Sequence, residues 1–123
     1  MLVLYKNYAV AYQIAKLLLL VLFFSGCNSK VIEVTIENHD TITIDSLELN
    51  VTGNKYFLGS IRPGESKSTN VFVSGESHID INHSSKQKLF VDVYLEPGYR
   101  GNIYIDITAD SVFNVASEIK FVP

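Results

Sequence analysis

Ile103, Ile105 and Ile107 alternate with Tyr104, Asp106 and Thr108. Leu89, Val91, Val93 and Leu95 alternate in the same way with Phe90, Asp92, Tyr94 and Glu96, and Ile32, Val34 and Ile36 with Glu33, Thr35 and Glu37. A period of two sends successive side chains to opposite faces of an extended chain. A helix would scatter these apolar groups around its circumference, so the pattern selects strands. One face of each strand is apolar and the other polar, as in antiparallel sheets with one solvated side. The composition agrees. After Cys27, Val, Ile and Thr number 10, 11 and 6, against 5 Leu and 2 Ala. β-Branched side chains suit a pleated surface and are poor helix formers.

The breaks between these runs carry turn chemistry. Asn38-His39-Asp40, Thr52-Gly53-Asn54, Ser74-Gly75-Glu76, His83-Ser84-Ser85 and Ala109-Asp110 are turn-like clusters. In Arg62–Glu65 and in Glu96–Tyr99, a Pro-Gly pair supplies the fixed φ and the positive φ of a type II turn. One run changes phase: Ile42 and Ile44 are apolar at even positions, and Leu47, Leu49 and Val51 at odd ones. That slip predicts a β-bulge at Asp45–Ser46, with two strands meeting at a bend there as the alternative. Seven to eight short strands over residues 31–123 predict an all-β fold, a small antiparallel sandwich of immunoglobulin-like architecture. The Cys…Trp…Cys signature of antibody domains is absent, because the chain has no Trp. No helix is expected beyond the N-terminal segment.

That segment differs in kind. Residues 1–26 hold 20 hydrophobic residues, and Lys6 and Lys16 are their only charges. Leu17–Phe24 is unbroken apolar, and Ser25, Gly26 and Cys27 follow. A basic start, a short apolar stretch and small residues at a cut site describe a secretory signal. Phe24-Ser25-Gly26-Cys27 resembles the lipobox of bacterial lipoproteins, with Phe24 where Leu is usual. The resemblance implies that the Cys27 thiol receives a diacylglycerol and that a peptidase cuts between Gly26 and Cys27. Further acylation of the freed amine would give a stable anchor, since two or three chains hold where one does not. An uncleaved membrane anchor and a signal peptide without lipidation stand as the alternatives. The resulting division is a signal peptide over 1–26, a lipidated Cys27 with a tether over 27–30, and a sandwich over 31–123. Residues 28–30 span at most about 11 Å, which keeps the sandwich close to its membrane. Asn28 stands where Asp would retain an enteric lipoprotein in the inner membrane. If the source is Gram-negative, the outer membrane, facing the periplasm, is the expected location.

Charge and cysteine content exclude several functions. The part after Cys27 has 8 basic and 13 acidic residues, a balance of −5. Nucleic-acid binding needs clustered Lys and Arg, so no nucleic-acid partner is expected. Cys27 is the sole cysteine. Once lipidated, it leaves the sandwich no disulfide, thiol nucleophile or thiolate metal site.

A second resemblance covers most of residues 31–108. Asn38, Leu58-Gly59-Ser60-Ile61-Arg62-Pro63-Gly64-Glu65-Ser66, Tyr94-Leu95-Glu96-Pro97-Gly98-Tyr99-Arg100-Gly101 and the Ile103/Ile105/Ile107 strand are similar to a group of small, uncharacterised bacterial envelope proteins. Those motifs are turns. They imply a β-sandwich and no activity.

Candidate binding residues follow from one expected hairpin. If the chain reverses around Tyr99, Leu95 meets Ile103, Val93 meets Ile105 and Val91 meets Ile107. Asp92 then faces Asp106 on the outer side, where a cation would relieve their repulsion; a shifted register is the plain alternative. Tyr94 and Tyr104 become outward neighbours, with Phe90 further along and Tyr99 in the loop. Such rings form a candidate partner surface, or simply stabilise the hairpin. His78, Asp80 and Asn82 share one strand face, which reads either as a weak metal site or as a solvated surface. Ser85–Lys88 and Ser117–Lys120 fit S-x-x-K, a motif that needs a helix to bring Ser and Lys together. No G-x-S-x-G, phosphate loop or dinucleotide fingerprint occurs. The expectation is therefore a membrane-anchored lipoprotein that is not an enzyme, needs no cofactor and has either an envelope role or a partner-binding one, with an envelope protein as the candidate partner. A small-ligand or cation-binding module, and a periplasmic hydrolase inhibitor presenting Pro97–Gly101, are the alternatives.

Overall fold

The computed structural model describes residues 10–16, 31–84 and 87–122. Residues 10–16 are helical. No helix among the described residues is long and apolar enough to cross a membrane. Gly26 and Cys27 lie outside the described residues.

Eight strands follow: β1 (Ile32–Asn38), β2 (Ile44–Val51), β3 (Asn54–Ile61), β4 (Ser66–Val71), β5 (Ser77–Asn82), β6 (Lys88–Leu95), β7 (Tyr99–Ile107) and β8 (Val112–Phe121). They form two four-stranded sheets, ordered β4-β1-β7-β8 and β3-β2-β5-β6. All pairings are antiparallel except β1 with β7, which run parallel. The expected two-layer β-sandwich is the fold, with its own strand order.

The core is built from the alternating residues. Ile32, Val34 and Ile36 of β1 and Ile103, Ile105 and Ile107 of β7 are buried side by side. Leu47, Leu49 and Val51 of β2, Ile79 and Ile81 of β5, and Leu89, Val91 and Leu95 of β6 are buried in the same cluster. Burying each such side chain contributes about 1.5–3 kcal/mol, and this clamps the two layers together. Among the described residues, all nineteen buried hydrophobic side chains are Ile, Val or Leu.

The aromatic rings lie elsewhere. Phe57 on β3, Phe72 just past β4, Phe90 on β6, and Phe113 and Phe121 on β8 are 74, 61, 58, 54 and 56% exposed. β3, β4, β6 and β8 are the four edge strands. Every phenylalanine between residues 31 and 122 therefore stands at a sheet edge with more than half its surface in solvent.

The bulge and both Pro-Gly turns form as the sequence predicts. The β2–β3 register shifts between Ile44 and Leu47, and Ser46 takes a φ of 54°. The Glu65 N–H donates to the Arg62 carbonyl at 3.0 Å, and the Tyr99 N–H to that of Glu96 at 3.3 Å. Gly64 and Gly98 supply the positive φ, 76° and 96°.

The expected hairpin around Tyr99 does not form. β6 pairs with β5, and β7 pairs with β1 and β8. The Pro97-Gly98 turn carries the chain from one sheet to the other. Period-two alternation reports which face of a strand is buried and is silent on its neighbour, so both arrangements satisfy the same pattern.

Candidate functional site

The parallel pairing of β1 and β7 sets Glu37 beside Asp106 on the outer face of their sheet. The next residues, Asn38 and Ile107, point inward and are buried. The ladder continues one step further, because the His39 N–H donates to the Ile107 carbonyl at 2.9 Å. Glu37 and His39, two apart on an extended chain, then project to the same side as Asp106. The His39 Nε2 lies 3.2 Å from Glu37 Oε2 and 3.1 Å from Asp106 Oδ1. All three ligand atoms lie within 4.8 Å of one another.

β8 braces this group. Asn114 is the register partner of Asp106, and its Nδ2 donates to Asp106 Oδ2 at 2.9 Å. The β7–β8 register then shifts between Asp106 and Ile107, which places Phe113 in a bulge. The Phe113 ring meets the His39 ring edge-on, with centroids 5.1 Å apart and planes at 86°. The carboxylate and the imidazole are thus each held by a β8 residue.

The backbone beneath is equally constrained. Asn38 is wholly buried, and its Nδ2 donates to the carbonyls of Ile42 and Ile61, each at 2.9 Å. Its Oδ1 accepts the Asp40 N–H at 2.8 Å. Asp40 in turn accepts the N–H of Ala109 at 2.9 Å and of Thr41 at 2.7 Å. These donors hold the Asp40 carboxyl below its ordinary pKa, with Ala109 the larger cause. Loops 39–43 and 108–111 are therefore stapled together beside the site.

The residues singled out from the sequence fall in different places. Asp92 is exposed on β6, in the sheet that does not contain Asp106, so the expected Asp92/Asp106 pair does not exist. Asp106 instead joins Glu37 and His39. Tyr94 and Tyr104 are both exposed, but they belong to different sheets and are not neighbours. Phe90 stays with Tyr94 on the outer face of β6, where its ring centroid lies 4.6 Å from that of His78. The Tyr94 hydroxyl donates to a Glu96 carboxylate oxygen, and this bond raises the phenol's pKa well above its usual value. Tyr99 is half-buried at the start of β7, edge-on to Phe121 at 6.1 Å. His78 and Asp80 meet at 3.1 Å, but Lys88 Nζ already engages that carboxylate at 3.2 Å. The His83 Nε2–H donates to the Ala109 carbonyl at 2.7 Å. Ser117 and Lys120, three apart on β8, point to opposite faces. Ser85 lies outside the described residues.

Sequence reasoning passed over Glu37 and His39 as a pair. The available signal was their spacing of two at the end of a predicted strand. Their third partner depends on the parallel pairing with β7, which no local pattern announces.

No family model matches the chain. No curated protein matches it either. An NMR structure of a protein from Eubacterium rectale is similar over 71% of this chain and 90% of its own, with 12% identity and a TM-score of 0.48.

Proposed function

We propose that this chain is a bacterial lipoprotein, anchored in the envelope membrane through lipids on Cys27, whose sandwich binds a partner and does not catalyse a reaction. The observation that carries the binding role is the placement of the phenylalanines. A core made only of Ile, Val and Leu leaves five Phe rings exposed along the sheet edges. Aromatic side chains are enriched in protein interfaces. Edge strands add unpaired backbone groups beside those rings, which an extended partner segment can join. Phe90 and Tyr94 on β6 form the largest surviving part of the expected aromatic surface; Tyr99 and Tyr104 lie apart from it. The anchor rests on the lipobox-like Phe24–Cys27 and on a first strand that starts at Ile32. With an outer-membrane anchor the sandwich would face the periplasm.

Two measurements test this reading. Cells expressing the chain incorporate a palmitate analogue into it, and Cys27→Ala abolishes the label. A photo-crosslinking residue at Phe90 captures a discrete envelope protein, and one at exposed Asn54 does not. Labelling that survives Cys27→Ala overturns the anchor. Equal or absent adducts at the two positions overturn the binding role.

A further inference from the structure

We propose that Glu37, His39 and Asp106 bind one divalent first-row transition ion, of which zinc is the representative. The inference does not depend on the anchor or on the aromatic edges.

Three donors of suitable type converge here. Neutral imidazole and carboxylate are ligands for this class of ion, whereas calcium and magnesium take oxygen ligands alone. The distances match as well. Metal–ligand bonds of about 2.1 Å at the tetrahedral angle set neighbouring donors about 3.4 Å apart. His39 Nε2 stands 3.2 and 3.1 Å from its two carboxylate oxygens. Without a metal, two anionic oxygens face a single ring nitrogen, and one N–H cannot serve both fully. An ion accepts a lone pair from all three, and cancels the repulsion between carboxylates that the β1–β7 register holds side by side.

The surroundings match those of a ligand set. Asn114 holds the free oxygen of Asp106 at 2.9 Å, the kind of outer contact that orients a metal-binding carboxylate. Phe113 packs edge-on against the His39 ring. The comparable pair on the other sheet, His78 and Asp80, has Lys88 as its cation and gathers no third ligand among the described residues. Three protein donors leave at least one coordination position for water or for a donor from another molecule.

The test uses the full chain in mild detergent. Equilibrium dialysis with zinc is expected to give one bound equivalent, which excess calcium does not displace. His39→Gln weakens binding at least tenfold, and His39→Gln with Asp106→Asn removes it. Asn114→Ala, which leaves all three ligands in place, weakens binding about tenfold. His78→Gln leaves it within twofold of the parent. Cobalt(II) absorption bands appear on titration of the parent and are absent in His39→Gln, whose circular dichroism confirms the retained fold. The proposal is overturned if the parent binds no zinc, if calcium competes equally, or if the double variant binds like the parent.

Discussion

The side-chain amide of Asn38 donates to the carbonyl oxygen of Ile61 at 2.9 Å, joining the end of β1 in one sheet to the end of β3 in the other. The same residue's backbone N–H donates to the Glu65 carbonyl at 3.0 Å, and its carbonyl accepts the Gly64 N–H at 2.8 Å. The backbone of Asn38 thus fastens the Pro63-Gly64 turn, and its side-chain amide fastens the end of β3 and the 39–43 loop.

Asn38→Ala removes the partner of the buried Ile61 carbonyl and of two part-buried groups, the Ile42 carbonyl and the Asp40 N–H. Each buried group left unpaired costs about 1–3 kcal/mol. The expected loss is about 3 kcal/mol, read as a lower urea midpoint with an unchanged slope. A loss below about 1 kcal/mol contradicts the assigned role.

Gly101 and Gly53 separate two demands on glycine. At Gly101, with φ of 136°, an added Cβ would sit 2.0 Å from the Glu118 carbonyl oxygen. At Gly53, with φ of 79°, it would meet nothing within 4 Å. Gly53→Ala is expected to cost only the left-handed backbone penalty, about 1–2 kcal/mol. Gly101→Ala must also push β7 and β8 apart, so its thermal midpoint falls much further.

Thr52 is a site for stabilisation. It begins the two-residue turn between β2 and β3, with φ of 52° followed by 79° at Gly53. A β-branched residue is strained there, and Asn-Gly is the preferred pair for this turn. The Thr52 hydroxyl is also buried without a hydrogen-bond partner. Thr52→Asn is therefore expected to raise stability by about 1 kcal/mol, measured by denaturant unfolding.

Acid weakens the loop staple. The folded pKa of Asp40 lies below its unfolded value, so its contribution is complete above about pH 4. It drains away as pH falls through the folded pKa. An asparagine side chain at this position would offer one acceptor oxygen where the carboxylate serves two N–H donors. Asp40→Asn is expected to be less stable than the parent at pH 7, with the gap closing at pH 2.5. A gap that is constant with pH contradicts the staple.

Leu49 tests the core. It is fully buried on β2, a central strand. Leu49→Ala is expected to lose about 2–5 kcal/mol, the range for a large cavity in a packed interior.

The faces of the strands were legible because burial has a period of two. Ile103, Ile105 and Ile107 announced their own burial. The bulge at Ser46 was legible as a phase slip, and both Pro-Gly turns from their φ requirements. Pairing was not legible. Leu95 and Ile103 fit a hairpin and a sheet-to-sheet crossing equally well, since both bury the same faces. The site suffered from the same gap. Asp106 was noticed, but its partners Glu37 and His39 lie 69 and 67 positions away, across a parallel ladder.

β1 has a mechanical consequence. It is bonded along both edges, to β4 on one side and to β7 on the other. Tension entering through Val31 pulls along the axis of this central strand. The rungs on its two flanks then share the load in shear and do not open one after another. A pull on Val31 therefore loads two ladders at once, where an edge strand would offer only one.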